Sequence, residues 1–374
     1  MAVIDVKKAS AQDIPELARL ADEVFRTKVV PGEGMAREFP TVFSESNSSN
    51  LYFAEADGRP VSMIGLMPKT IHVFGHAVSA VLMGAVCTLS EYRGQGLASR
   101  LLEEVLTDWK NVSLLIISGD RDLYRRIGSV PFGRLRALSI SSKSLHLPPD
   151  DVVIRSISDD EIPKMCQIYG LESCRFHRTA DEMKKLIEGW RWASRFDGPG
   201  PLAILGAYRH GVMEAYIVAR GGVHDGHPTI YEVEWAGSRN RLLALAEGLL
   251  KHFSAEEVSV IGPWEDREFR DLAENEGVSD RWVPNSGTLR LMNPERLTQE
   301  FEPWLEEQHG VQLRIQEQRW ADSATWTIEM EGSGAKASTL IPRNFDDRGA
   351  LVRWLFAEDG LNLPMTRTND LNFV

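Results

Sequence analysis

The chain has 374 residues, 43% of them hydrophobic and 26% charged, with a formal net charge of -12. That length exceeds one ordinary domain, so two or three are expected. The composition is that of a folded protein rather than a disordered one. The acidic balance argues against general nucleic-acid binding, which needs a basic face against phosphates, and it either favours small cationic partners or only keeps the protein soluble. No segment approaches the ~20 apolar residues of a membrane-spanning helix, so no membrane partner is expected. The three cysteines, Cys87, Cys166 and Cys174, are odd in number and lack CxxC spacing. They indicate neither a disulfide framework nor a zinc site, and they suit a reducing cytoplasm.

In chain order, Val3–Val6 reads as a short strand, and Ser10-Ala-Gln-Asp13 opens a helix with Ile14, Leu17, Leu20, Ala21 and Phe25 on one face. Residues 29–40 read as a loop in which Glu33 and Glu38 either attract an amine or are simply solvated. Leu51–Ala56 and Val61–Met67 flank Asp57-Gly58, a strong hairpin signal. Strands follow at Ile71–Val73 and Ser79–Thr88, then a helix at Leu97–Trp109, a strand at Ser113–Ser118, a short helix at Asp120–Ile127 and a strand at Phe132–Ile140. This order predicts an α/β fold with a mixed sheet.

The pattern then repeats at an offset of 148. Val6-Lys-Lys-Ala-Ser-Ala-Gln-Asp-Ile-Pro-Glu-Leu17 aligns with Ile154-Arg-Ser-Ile-Ser-Asp-Asp-Glu-Ile-Pro-Lys-Met165. Arg209-His-Gly211 echoes the hairpin turn, Leu245–Phe253 the helix and Val258–Ile261 the strand. The tail predicts a helix over Leu297–Gln308, strands over Val311–Gln318 and Ala324–Met330, and a turn at Gly332-Ser-Gly334. Three domains are expected, at 1–148, 149–291 and 292–374. His224-Asp-Gly-His227 reads as a turn, and no metal is expected.

The chemistry-bearing segment is Val86-Cys-Thr-Leu-Ser-Glu-Tyr-Arg-Gly-Gln-Gly-Leu-Ala-Ser-Arg-Leu-Leu102. A strand runs into a glycine turn that opens an amphipathic helix. The first N–H groups of a helix lack internal acceptors and carry partial positive charge, and glycines let a pyrophosphate approach them. Arg93 adds a fixed charge. The segment lacks the Gly-Lys-Ser/Thr of a P-loop and the third glycine of a dinucleotide fingerprint.

Arg93, Gly96 and Ala98 in this context resemble motif A of the GNAT acetyltransferase superfamily. The resemblance implies acetyl-CoA as acyl donor, with Val86, Cys87 and Thr88 along its pantetheine arm and Arg93, Gly94, Gln95, Gly96, Leu97, Ala98 and Ser99 at its pyrophosphate. Cys87 itself alternates away from its neighbours and reads as core rather than a catalytic thiol. Leu123-Tyr124-Arg-Arg-Ile-Gly128 is similar to the GNAT segment whose Tyr protonates the departing thiolate, which implies Tyr124 as catalytic acid. In the second copy, Arg241-Leu-Leu-Ala-Leu-Ala246 replaces the cradle and Leu272 stands at the place of Tyr124, so this copy is degenerate and should bind no cofactor.

The whole layout, a GNAT fold, a degenerate GNAT-like fold and a small sterol-carrier-like α+β domain, resembles the Eis (enhanced intracellular survival) family. That resemblance implies a homo-oligomer and an inserted C-terminal carboxylate as base, here that of Val374. The chain departs from the family in its short tail and in ending on Val rather than an aromatic residue. The expected function is N-acetylation of a small-molecule amine: a polyamine, an aminoglycoside-like compound or a lysine amine. The alternative is a non-catalytic acyl-CoA-binding regulator or assembly module.

Overall fold

The computed structural model describes residues 4–26, 34–142, 151–192, 201–224, 227–319, 324–332, 343–357 and 360–373. Val374 and the turn expected at 332–334 beyond Gly332 lie outside them.

Strand β1 (Ile4–Lys8) leads through a 3₁₀ turn into α1 (Ile14–Phe25), and β7 (Val152–Ser156) leads in the same way into α5 (Ile162–Tyr169). Both helices carry Pro in their first turn, where its missing N–H costs nothing. Ahead of each helix an acidic side chain three residues on accepts the serine N–H: Ser10 to Asp13 at 2.8 Å and Ser158 to Glu161 at 3.2 Å. The sequence repeat is therefore a repeat of local structure.

After α2 (Met35–Glu38) come β2 (Leu51–Ala56), β3 (Arg59–Val73), β4 (His76–Thr88), α3 (Leu97–Asp108), β5 (Leu114–Ile117), α4 (Asp122–Arg125) and β6 (Arg134–Ser141). The β2–β3 turn has positive φ at Asp57 and Gly58 (51° and 77°), the backbone that a right-twisted two-residue hairpin demands. The second half adds β8 (Cys174–Phe176), α6 (Ala180–Trp192), β9 (Leu202–Arg209), β10 (Val212–His224), β11 (His227–Gly237), α7 (Leu242–Phe253), β12 (Glu257–Pro263), α8 (Arg267–Glu276), β13 (Ser279–Pro284) and β14 (Thr288–Leu291). The tail holds α9 (Pro294–His309), β15 (Val311–Arg319), β16 (Ala324–Gly332), β17 (Arg343–Phe345) and α10 (Arg348–Phe356).

The main sheet has the order β1-β2-β3-β4-β5-β14, with β8 also pairing β3. It is mixed: β4 and β5 run parallel, the other pairs antiparallel. A second sheet has the order β11-β10-β9-β7, a third β12-β6-β13 and a fourth β15-β16-β17. The halves are interleaved. Strand β6 lies between β12 and β13, while β14 returns from the second half to flank β5. One apolar core runs from the main sheet through α9, α10 and Leu363 and Met365 of the tail. Helix α7 packs one face of the β9–β11 sheet, and α5 and α6 pack the other.

The return of β14 depends on Gly287. Its φ is +81°, and a Cβ there would stand 2.1 Å from the Ile117 carbonyl oxygen. A side chain would force β14 away from β5. Gly287→Ala should destabilise the protein by at least about 2 kcal/mol in urea unfolding; an unchanged midpoint and slope would show that the close approach is dispensable.

Candidate active site

The site begins where β4 parts from β5. The two strands pair only from Ala80↔Leu114 to Met83↔Ile117, and Ser118 N–H adds a last bond to Met83 O at 3.1 Å. Strand β4 then continues alone on that side to Thr88. Its register against β3 shifts between Met63 and Gly65, and Ala85 in this stretch has φ +51°. Left-handed backbone at a non-glycine residue costs about 1 kcal/mol, and such bulges re-aim a strand beside a site. Gly84–Thr88 therefore turn backbone groups toward a space that β5 does not fill.

Beyond Thr88 the chain reaches α3 through Gly94 and Gly96, both with φ near +75° (76° and 75°) and both with nothing within 4 Å of a notional Cβ. Gly96 is the N-cap of α3, and it offers no side-chain cap, nor does the first turn carry an acidic residue. By contrast α8, α9 and α10 are capped by Asp266, Asn293 and Asp347, at 2.9, 2.9 and 2.7 Å. The α3 N-terminus thus keeps its N–H groups open to a ligand. A cleft of about 390 Å³ faces it, lined by Thr88, Tyr92, Arg93, Gly94, Gly96, Leu97, Ala98, Ser99, Leu123 and Arg126. The exposed Arg93 leans back through an Nε–H bond to Thr88 O at 3.1 Å. The Thr88 hydroxyl shares a 2.8 Å bond with Ser62.

The structure thus gathers most of the sequence-expected cradle. Val86 and Cys87 are buried and do not line the cleft; Gln95 does not line it either and donates to Glu91 O at 3.3 Å. Tyr92 and Arg126 line the cleft, and neither was expected from the sequence. Arg126 lies inside the Leu123–Gly128 segment, a signal that its position alone carried. Val374 lies outside the described residues, as does Glu33. Glu38 differs from the expectation: it is buried, and its carboxylate is taken by Arg26, with Nε at 2.8 Å, so its charge is not offered to an amine. Residues 225–226 of the expected His224–His227 turn are also outside. Among the described residues no group of three or more His, Cys, Asp or Glu is placed to hold a metal, and no helix is long and apolar enough to cross a membrane.

Tyr124, on α4, is buried, and no described residue bonds its hydroxyl. Burial raises its phenol above the ordinary value; Arg121 opposes this and Cys87 adds to it. The phenol is therefore protonated at neutral pH, as a proton donor must be.

Residues 5–130 match the family model described as the acetyltransferase (GNAT) domain. This chain carries a GNAT acetyltransferase domain. It is thereby an acyltransferase, and the parted strands and open helix belong to that domain. Among solved structures, the chain is similar to a probable N-acyltransferase of Enterococcus faecalis at 18% identity and TM-score 0.63, covering 89% of this chain and 86% of that one. A GCN5-related N-acetyltransferase of Anabaena variabilis gives 16% identity and TM-score 0.62, with the same coverage of 89% and 86%. Eis1 of Mycobacterium abscessus gives 14% and 0.57, covering 80% and 76%. At these identities the likeness is one of fold, and it extends well beyond the GNAT domain. Among curated proteins none matches.

The second half shows why a repeat of the fold is not a repeat of the site. At the start of α7, Leu242, Leu245 and Ala246 are buried, and Arg241 is committed to Glu214 at 2.6 Å. Side chains fill the space that glycines leave open at α3.

Cys87 adjoins the GNAT site but is not built to react. Burial raises its thiol to about 12, against the pull of Arg121 and Arg93, so almost no thiolate exists at pH 8. In a maleimide-labelling time course at pH 8, Cys87 should stay unmodified until the protein is unfolded; rapid modification of the native protein would show a reactive thiolate.

Proposed function

We propose that the protein is an Eis-like, acetyl-CoA-dependent N-acetyltransferase that acylates a small-molecule amine by direct attack. The observation that carries this reading is the continuity of the parted end of β4 with the uncapped, glycine-opened N-terminus of α3. The fit to the donor is physical: an extended strand segment with no strand paired on one side suits an amide-bearing arm, and open helix N–H groups without a Cβ in the way suit a pyrophosphate. Val86, Cys87 and Thr88 would contribute backbone to the arm, and the amides from Gly94 to Ser99 would hold the phosphates with Arg93 as counter-charge. When bound, acetyl-CoA supplies an activated acyl group.

The chain's own residues supply proton transfer and position. Tyr124 holds a proton on its hydroxyl and gives it to the departing sulfur, which lowers the cost of the charge that builds there. The α-carboxylate of Val374 takes the proton from the attacking amine. Support for this comes from the residues before it: Asn372 and Phe373 line a small cavity with Leu82, Ile117 and Ser118, at the point where β4 and β5 part. The acceptor is a polyamine, an aminoglycoside-like compound or a lysine amine; a net charge of -12 draws cations of this kind. By the same analogy the enzyme works in the cytoplasm as a homo-oligomer.

Thiol release from acetyl-CoA against pooled amines, with an untagged C-terminus, tests the reading. The wild type should release thiol above the no-amine background. Tyr124→Phe should lose about 10²-fold in kcat while keeping acetyl-CoA affinity, and an extension beyond Val374 should also depress turnover. Saturable binding without release would instead favour a non-catalytic acyl-CoA-responsive regulator.

A further inference from the structure

The second half of the chain has buried side chains where the first half has its glycine-opened cradle, and it holds a buried ionic network that the proposed chemistry does not use. Arg178, between β8 and α6, has a fully buried side chain. It donates to both oxygens of Glu234 on β11, at 2.9 and 2.7 Å, and lies 3.9 Å over the Tyr169 ring. Its guanidinium also donates to the tail: to Asp370 at 3.4 Å and to the Asn372 side-chain oxygen at 3.3 Å. Asp370 in turn accepts the Asn372 backbone N–H at 2.7 Å.

Burying three charges is expensive, and an apolar anchor of the same volume would hold a segment at least as firmly. A charge network adds a single allowed position. That matters here because residues 364–373 belong to no helix or strand, so no backbone ladder fixes their register. Two further pins act on the same stretch. Arg367 donates to Glu232 at 2.7 Å, and Asn285 accepts from Thr368 N–H at 3.0 Å. Burial raises the Asp370 carboxyl above its ordinary value, with Arg178 pulling it back.

The residues after Asp370 lie where the reaction centre is proposed. Asn372 and Phe373 border the parting of β4 and β5. The Phe373 ring is 6.5 Å from that of Phe39, and it shares a second small cavity with Pro40 and Trp190.

We propose that Arg178 and Asp370 are positioning residues, through which the cofactor-free half of the chain fixes residues 370–373 as the acceptor-side wall of the acetyl-transfer site. The proposal rests on reading the parting of β4 and β5 as the reaction centre.

Asp370→Asn tests it, since it keeps the volume and leaves the Arg178–Glu234 pair in place; Asn372→Ala loosens the same segment should the first variant fold poorly. Hydrogen exchange over 360–373, acetyl-CoA affinity, and kcat and KM for an amine accepted by the wild type are measured on the full chain. The expected result is faster exchange confined to the tail, with about a tenfold loss in kcat/KM for the amine and acetyl-CoA affinity within twofold of wild type. A loosened tail with unchanged kcat/KM would overturn the positioning role, as would amine turnover and acetyl-CoA affinity falling together in both variants. If the wild type acetylates no amine, the functional reading fails by itself. The exchange data then decide the clamp: faster tail exchange in Asp370→Asn sustains it, and unchanged exchange overturns it.

Discussion

The structure turns on the separation of two parallel strands. A sheet ordinarily satisfies its backbone groups along the full length of each strand, and β4 departs from that rule after Met83. The departure is held from three sides. The bulge at Ala85 redirects β4, β3 keeps pairing it on the other edge, and β14 holds β5 back through the close approach at Gly287. The result is a preformed slot along which β4 runs on without β5 beside it, and the open N-terminus of α3 lies at its end.

The two halves share local architecture and differ where the first has its cradle. Both begin with a strand, an acid-capped 3₁₀ turn and a Pro-bearing helix, and both have a hairpin whose turn residues take positive φ, Asp57-Gly58 in one and His210-Gly211 in the other. They differ at the later helix that opens or closes a cradle. Glycines leave α3 open, while Leu242 and its neighbours close α7. The closed half is not idle mass. It lends β8 and β14 to the main sheet and receives β6 in exchange, which makes sliding of one half against the other costly.

The features legible in the sequence were local. Turn pairs such as Asp57-Gly58, the serine-to-acid caps and the glycine-opened helix each sit within a few residues, and their backbone chemistry is written in those residues. Most elements lie near their expected bounds for the same reason, although the strands expected at Val61–Met67 and Ile71–Val73 are one strand, β3. Partners were less legible, because apolar alternation says which face a strand buries and not which strand it meets. Nothing in Thr288–Leu291 announces a return to β5, and nothing in Arg134–Ser141 announces a place between β12 and β13. Glu38 shows the same limit on a smaller scale. Read alone it is a candidate to attract an amine, but Arg26, twelve residues earlier, folds back to neutralise it. The tail network was invisible too, since Arg178 and Asp370 are 192 residues apart.

The slot between β4 and β5, closed by the α3 N-terminus, is proposed here as the one acyl-donor site of the chain. Calorimetric titration of acetyl-CoA into wild-type protein and Gly96→Ala measures it most directly, because the added methyl faces the open side of the cradle. The account predicts one saturable site per chain in the wild type and at least about a tenfold weaker Kd in the variant, with thermal stability lowered only by the small cost of left-handed alanine. Two equivalent sites per chain, or an unchanged Kd in Gly96→Ala, would contradict it.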